Sequence, residues 1–268
     1  MHHGISHRSV CALIGVARSF LGYESVREEK DAPVIEVMRE ETRQHPRYGY
    51  RRIRIFLRPE GYEMSADRCH WLWRKAGLQV PRRRPRRRVA GSGVRPISPV
   101  TYNHIWAYDF ITDACANGQK LKYLAVVDEY TRECLAIEVA GSIRSARVIE
   151  VLSRLISVHG APRYLRCDNG PEFVSRVILE WVVGSGINTA HIDPGKPWQN
   201  GADESFNGKF RDRCLSMEWF RSREEAKAII ETWRRHYNAV CPRSSRGYQT
   251  PNEFKATIKQ STRPKAIS

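Results

Sequence analysis

The middle of the chain, residues 104–215, restricts the fold most strongly, because its short apolar segments are ordered in a distinctive way. Three β-prone segments come first, at residues 104–112, 123–128 and 135–139. Extended and helical segments then alternate, with helices expected at about 145–158, 175–183 and 201–215 and strands at 164–167 and 188–192. This order predicts an α/β unit of mixed strand order, with helices on its sheet.

The first 80 residues carry helical signals instead. An apolar spacing from Ser6 to Leu21 fits a short amphipathic helix, and Asp31 is expected to cap a second one. After a break at residues 46–50, Ser65 is expected to cap a helix that carries Trp71 and ends near Gly77. Residues 1–80 are therefore predicted to form a small helical, helix-turn-helix-like region that binds DNA.

Positive charge is concentrated in the first part of the chain. The net charge is +16, and residues 1–100 contain 21 Lys and Arg against 10 Asp and Glu. A basic linker is predicted at residues 81–99, where six arginines that we expect to neutralise DNA phosphates stand close together: Arg82, Arg83, Arg84, Arg86, Arg87 and Arg88. Such a run is also compatible with simple solvated chain. The charge favours a polyanionic partner, although charge alone does not separate nucleic acid from an anionic membrane surface.

Other classes of protein fit the sequence poorly. It contains no apolar run long enough to span a membrane and no secretory h-region at the N-terminus, so we expect a cytoplasmic protein without a membrane partner. Seven cysteines without a Cys-x-x-Cys pair favour reduced, mostly buried thiols. The histidines and cysteines do not have zinc-finger spacing, and we expect no structural metal.

Three carboxylates stand out as candidates for chemistry. Asp109 interrupts an apolar strand, where a charge is costly unless it is paired or bound to a cation. Asp168 follows a predicted strand, at the kind of strand end where α/β proteins display functional groups, although an Asp before Asn-Gly is also a common turn residue. Glu204 lies early in a predicted helix and alone would be an ordinary surface residue. Asp113 and Asp128 are weaker candidates for metal ligands. Asp128 is instead expected to be a partner for Arg132.

Taken together, these residues resemble a known family. The sequence is similar to the retroviral-integrase superfamily, and specifically to the second-reading-frame (OrfB-type) transposases of bacterial insertion sequences. The resemblance is carried by Cys-Asp-Asn-Gly-Pro-Glu-Phe, Glu-Ser-Phe-Asn-Gly, His-Tyr-Asn and Gly-Tyr-Gln-Thr-Pro at residues 167–173, 204–208, 236–238 and 247–251, together with residues 45–53, 126–132 and 194–201. It therefore extends over nearly the whole chain.

The resemblance implies a ribonuclease H-like integrase catalytic core at residues 100–218, completed by a C-terminal helix and an irregular tail at 219–268. It also implies that Asp109, Asp168 and Glu204 are the catalytic residues and hold two divalent metal ions, Mg²⁺ or Mn²⁺. Such ions suit hard oxygen ligands, and a pair of them can activate an attacking oxygen and stabilise a leaving one. Water would first free a 3′-hydroxyl at the element's end, and that hydroxyl would then attack the target DNA.

Partners follow from the same resemblance. We expect double-stranded DNA, both element ends and target, to be bound by a homo-oligomer, with an upstream-reading-frame (OrfA-type) protein as a possible partner or fusion. In the core, the DNA-contacting candidates are Lys196, Trp198, Gln199, Asn207 and Arg211. In a bacterial cell the protein is expected to associate with the nucleoid when it binds DNA.

Two other functions remain compatible with parts of the sequence. The basic N-terminal region would suffice for a DNA-binding regulator or a degenerate, inactive copy, and a ribonuclease H-like core would suffice for a plain nuclease. The presence of all three carboxylates favours the transposase over the regulator. The helical N-terminal region and the full set of motifs favour it over the nuclease.

Overall fold

The computed structural model describes residues 6–20, 27–81, 97–167, 175–190 and 201–261. The chain divides into two compact units, Met1–Arg83 and Arg84–Ser268. Each unit has its own set of buried apolar side chains. The first unit is helical in its described part, whereas the second contains a five-stranded sheet with helices on both faces.

The first unit contains four α-helices in its described part. They are α1 (His7–Ile14), α2 (Arg27–Gln44), α3 (Tyr50–Leu57) and α4 (Ala66–Lys75), with a 3₁₀ turn at Arg18–Phe20. Ser65 caps α4 as expected, because its side chain accepts a hydrogen bond from the Arg68 backbone N–H. Helices α2, α3 and α4 pack against one another. They bury an apolar core formed by Met38, Ile53, Leu57, Cys69, Leu72 and Trp73.

Asp31 does not cap a helix, so that prediction was wrong. Helix α2 begins four residues earlier, at Arg27, and Asp31 lies inside it with its side chain buried. The carboxylate accepts a hydrogen bond from the Arg68 guanidinium and lies 3.5 Å from the Lys75 Nζ. These two cations on α4 compensate the buried charge, and Asp31 thereby links α2 to α4.

The sheet of the second unit has the predicted mixed order. Its strands are β1 (Ile105–Ala114), β2 (Lys120–Asp128), β3 (Cys134–Ala140), β4 (Tyr164–Arg166) and β5 (Asn188–Thr189). They are arranged β3-β2-β1-β4-β5, with β1 antiparallel to β2 and parallel to β4. β1 is therefore the central strand, and Asp109 stands in its middle, opposite Ala125 of β2.

Successive side chains of β1 point to opposite faces of the sheet, and each face is covered by helices. On one face Trp106 and Tyr108 pack against α5 (Ser145–His159) and α6 (Arg176–Gly184). On the other face lie α7 (Gly201–Phe210) and α8 (Arg223–Ala239). Aromatic contacts hold this second layer: the Phe210 ring centroid lies 5.5 Å from that of Tyr123 and 5.1 Å from that of Trp233. The strand order and the helices on both faces agree with the ribonuclease H-like core that the resemblance implies.

The end of the described chain is more regular than expected. The predicted helix at 201–215 ends in a π-helical turn, Arg211–Leu215, and the tail expected to be irregular contains a further helix, α9 (Pro251–Ser261). Thr250 and Glu253 form a reciprocal capping box, in which each side chain accepts a hydrogen bond from the other's backbone N–H. The sequence Thr-Pro-Asn-Glu carries this signal, with proline at the first helical position.

The cysteines are mostly buried, as the sequence predicted. All seven cysteines are free thiols, and all but Cys167 are buried. Burial raises the pKa of Cys69 to about 11 and that of Cys214 to about 12, so both stay protonated at neutral pH.

Among the helices in the described ranges, none has both the length and the apolar character needed to cross a lipid bilayer.

A buried ion pair joins the strand ends around β1. Arg166, the last residue of β4, donates from Nη1 to both carboxylate oxygens of Glu129 at 2.7 Å and from Nη2 to the Ile97 carbonyl at 2.7 Å. The Arg166 and Glu129 side chains are only 4% and 3% exposed. Glu129 also donates its backbone N–H to the Ile105 carbonyl of β1. The pair therefore fixes the end of β4, the strand that directly precedes Cys167 and Asp168.

We predict that Arg166→Met lowers the free energy of unfolding by about 3–5 kcal/mol, because it leaves the Glu129 carboxylate buried without its partner. The control is Arg176→Met, which breaks an ion pair with Glu180 whose side chains are 91% and 62% exposed. That change is expected to cost less than about 1 kcal/mol. Urea unfolding of the full chain gives both values, and equal losses in the two variants would contradict the prediction.

Candidate active site

Asp109 is held by the chain around it, with its side chain partly buried on the face of β1 that α7 covers. Its Oδ1 accepts a hydrogen bond of 2.7 Å from the Phe110 backbone N–H. Its Oδ2 accepts one of 2.6 Å from the Nδ2 of Asn207, on α7. The two bonds together fix the orientation of the carboxyl group on the strand.

Two neighbouring acidic residues of helix α7 differ in their exposure to solvent. Asp203 is buried, with 2% of its surface exposed, whereas Glu204 is exposed. A step of one residue turns a side chain by about 100° around a helix, so Asp203 points away from the face that carries Glu204. Phe206 and Phe210 are buried in the aromatic layer and fix the rotation of α7.

Asn207 has a larger role in the structure than the sequence indicated. It was predicted only as a DNA contact, yet it connects α7 to Asp109. Its other polar side-chain atom, Oδ1, is buried and accepts no hydrogen bond within the described part of the chain. The signal available in the sequence was its position three residues after Glu204, which places both side chains on neighbouring parts of one helix surface.

The other predicted site residues fall into two groups. Arg211 begins the π-helical turn and is exposed, seven residues after Glu204. The remaining ones lie outside the described residues: Asp168, Lys196, Trp198, Gln199, Arg82, Arg83, Arg84, Arg86, Arg87 and Arg88. In the described part of the chain, β4 runs parallel to β1 and Arg166 is level with Ala107, two residues before Asp109. Within that same part, no three His, Cys, Asp or Glu side chains come together closely enough to hold a metal ion.

Asp128, one of the competing carboxylates, stabilises a turn. Its carboxylate accepts hydrogen bonds from the backbone N–H groups of Asn103 and Thr131, both at 2.7 Å, and from the Thr131 hydroxyl at 2.9 Å. Burial raises the pKa of Asp128, and these hydrogen bonds oppose that shift. Arg132, the expected partner, bonds Asp128 through the backbone: its N–H donates to the Asp128 carbonyl at 2.8 Å.

The first unit presents a basic helix, α4, on which the indole of Trp71 is exposed. On α4 the exposed indole of Trp71 lies between two cations, with the Arg68 Cζ 5.0 Å and the Lys75 Nζ 5.3 Å from its ring centroid. Trp71 also lines an open groove of about 700 Å³, together with Arg27, Glu28, Arg74, Lys75 and Gln79. This exposed surface combines positive charge with a stacking side chain, which suits nucleic acid.

Family models match both units. Residues 100–197 and 185–251 each match a family described as an integrase core domain, and residues 28–86 match one described as an HTH-like domain. The first two matches together contain Asp109, Asp168 and Glu204. The third contains α2, α3 and α4 of the first unit.

Proteins of bacterial insertion elements are similar over most of the chain. The IS407 uncharacterized 31.7 kDa protein of Burkholderia multivorans is 38% identical, over 94% of this chain and 91% of its own length. The IS476 uncharacterized 39.2 kDa protein of Xanthomonas euvesicatoria is also 38% identical, over 96% of this chain and 75% of its own. Transposase InsD for insertion element IS2 of Escherichia coli is 26% identical, over 78% and 73%.

We predict that Asp128→Ala lowers the free energy of unfolding by about 3 kcal/mol or more, because it removes three hydrogen bonds to a buried carboxylate. Asp113→Ala, which removes an exposed carboxylate at the end of β1, is the control and is expected to change stability by no more than about 0.5 kcal/mol. Chemical denaturation of both variants tests the assignment. A loss as small for Asp128→Ala as for Asp113→Ala would show that Asp128 has no such structural role.

Proposed function

The chain belongs to the second-reading-frame transposases of bacterial insertion sequences, and on that premise we propose that Asp109, Asp168 and Glu204 form its catalytic centre. Its function is DNA transposition, and it is a polynucleotidyl transferase. The observation that carries the proposal is the position of Asp109: a carboxylate in the middle of the central strand, bonded to the helix that carries Glu204.

The side chains present suit divalent metal ions. Asp109 and Glu204 offer the hard carboxylate oxygens that Mg²⁺ and Mn²⁺ prefer, and Asp168 would add a third. The buried Oδ1 of Asn207, beside the Asp109 carboxylate, is an oxygen acceptor that no other described residue uses. When bound, two such ions would activate the attacking oxygen and stabilise the leaving oxygen of a phosphodiester.

The protein's own residues orient the site. The Phe110 N–H and the Asn207 amide hold the two oxygens of Asp109 in place, which limits the reorganisation needed during reaction. Glu204 stands on a helix fixed by its buried aromatic side chains. Arg211 is exposed about two turns after Glu204, and its proposed role is to bind a DNA phosphate beside the site.

The reaction that this arrangement supports is phosphoryl transfer without a protein nucleophile. A water molecule attacks the phosphodiester at the element's end, the 3′-oxygen leaves, and a free 3′-hydroxyl results. That hydroxyl then attacks a phosphodiester of the target DNA, and the target's own 3′-oxygen leaves. The active complex is proposed to contain more than one copy of the chain, because two element ends have to be brought together. Participation of an upstream-reading-frame protein stays a prediction.

The two alternative functions receive less support. A DNA-binding regulator needs only the basic helical region, yet the likeness to insertion-element proteins covers the catalytic core as well. A nuclease that cleaves without joining would share the core but has no need of the HTH-like unit at residues 28–86. Both are outcomes that the following experiment distinguishes.

We predict that the full chain joins duplex oligonucleotides carrying its element's ends to target DNA when Mg²⁺ or Mn²⁺ is present. Asp109→Asn, Asp168→Asn and Glu204→Gln are each expected to lower the joining rate by at least about 10²–10³-fold, the scale reached when a transition-state charge stabiliser is removed. Asp113→Asn, a change of an exposed carboxylate on the same strand as Asp109, is the matched control and should keep wild-type activity.

Each other result of that assay would contradict part of the proposal. Joining that survives Glu204→Gln would remove Glu204 from the catalytic centre. Metal-dependent cleavage of an RNA–DNA hybrid without any joining would identify a nuclease. DNA binding by the wild-type chain without cleavage or joining under any metal condition would favour the regulator or an inactive copy.

A further inference from the structure

Three arginines of the second unit lie near one another beyond the end of β2, because Arg132 repels Arg246, and Arg132 and Arg243 both interact with Tyr237. Arg132 belongs to the turn between β2 and β3, whereas Arg243 and Arg246 belong to the segment between α8 and α9. The Arg246 backbone N–H donates to the Arg243 carbonyl at 2.9 Å, and its guanidinium donates to the carbonyl of Tyr130 in the turn. We call Arg132, Arg243 and Arg246 the arginine cluster.

Arg243 is the most unusual member of the cluster. It is 3% exposed, and none of its three guanidinium nitrogens has a hydrogen-bond partner among the residues that the structure describes. Its Cζ lies 3.8 Å from the centroid of the Tyr237 ring. Such stacking uses the flat face of the guanidinium and leaves the N–H groups at its edge without acceptors. A buried guanidinium in this state is costly unless an acceptor from outside the protein completes it.

The carboxylates around the cluster are already used by other groups. Glu129 pairs with Arg166, Glu133 with Lys255 at 2.6 Å, and Glu231 with Arg234 at 2.7 Å. The Asp128 carboxylate is occupied by the hydrogen bonds of its turn. In the described ranges, none of the three cluster arginines forms a salt bridge, and Asp128 and Glu129 act on Arg246 and Arg132 only at longer range.

The two outer members of the cluster are placed to admit a ligand. Arg132 and Arg246 are partly exposed, and both have long side chains that can separate. Burial lowers the pKa of Arg246, and repulsion by Arg132 lowers it further. An anion between these two guanidiniums would cancel their repulsion and supply the acceptors that Arg243 lacks.

We propose that the arginine cluster binds a phosphate group of the DNA backbone, at a site separate from the catalytic centre. β2 ends at Asp128, which pairs with Trp106, three residues before Asp109 on β1. The turn therefore lies roughly 10 Å or more along the strand from Asp109. Phosphate is favoured over carboxylate because the chain acts on DNA and because three guanidiniums match a phosphate with several acceptor oxygens. The proposal rests on the DNA-transposition function but not on the roles of Asp109, Asp168 and Glu204.

The test is binding of the full chain to an element-end duplex in EDTA, followed by fluorescence anisotropy between about 50 and 200 mM salt. Because no divalent metal is present, the result does not depend on the proposed catalysis. The double change Arg132→Gln with Arg246→Gln is expected to weaken binding roughly three- to tenfold and to reduce the slope of log K against log salt by about 1. Arg176→Gln, an exposed arginine on α6, is the control and should change neither quantity.

Arg243→Met gives a second, independent readout. Replacing a buried, unpartnered arginine by an apolar side chain should leave the melting temperature of the free protein unchanged or raise it, while DNA binding weakens. A lower melting temperature with unchanged DNA affinity would make Arg243 purely structural and overturn the proposal. Unchanged affinity and salt slope in the double variant would overturn it as well.

A final comparison separates DNA from a free anion. Thermal unfolding is measured with inorganic phosphate and with chloride at equal ionic strength, for the wild type and for Arg243→Met. Stabilisation by phosphate that requires Arg243, together with weaker DNA binding of the variants, supports the DNA assignment. The same stabilisation with unchanged DNA binding would overturn it and assign the cluster to a small free anion.

Discussion

A carboxylate in the middle of the central strand is the constraint on which the rest of the catalytic unit depends. Asp109 interrupts a strand whose neighbours are buried on both faces, and an unbonded charge at that depth would destabilise the sheet. The chain compensates for this charge with a backbone N–H and with Asn207 from α7. Helix α7 therefore has to cross the sheet at this point, and this crossing also positions Glu204.

The packing of α7 follows from the same requirement. Phe206 and Phe210 are fully buried and lie against Trp233 of α8, while Tyr123 of β2 contacts Phe210 from the sheet. These aromatic contacts fix the rotation of α7, which buries Asp203 and exposes its neighbour Glu204. Beyond β4, the Arg166–Glu129 ion pair fixes the strand end that precedes Asp168. Separate parts of the chain thus determine the placement of Asp109 and Glu204 and the position of the end of β4.

The sequence predicted the features that local patterns determine. Alternating apolar residues and turn signals were sufficient for the strands of the sheet, and Ser65 was correctly predicted as a helix cap. The errors concern residues whose partners are distant in sequence. Asp31 was predicted to be a helix cap because the sequence does not show that Arg68 pairs with it. Asp128 was predicted to be a partner of Arg132, whereas its carboxylate accepts a hydrogen bond from the Asn103 backbone N–H. The capping box of α9 was a local signal that was overlooked.

The sequence also indicated the candidate residues of the site, but not the contacts between them. Asp109 was suspicious because it is charged within an apolar strand, and the integrase-like motifs singled out Asp168 and Glu204. The link between Asn207 and Asp109 joins residues 98 positions apart, so only the folded chain shows it. The same holds for the arginine cluster, where Arg132 and Arg246 are brought together by the packing of the tail on the β2–β3 turn.

The most direct test of the central claim is to locate the metal ions. Crystals of the full chain with element-end DNA, grown with Mn²⁺, would show the ions by anomalous scattering. The account predicts manganese coordinated by carboxylate oxygens of Asp109, Asp168 and Glu204, at about 2.1 Å, next to the 3′ end of the DNA. Manganese held by other residues, or DNA bound at this site with no ion at Asp109, would contradict it.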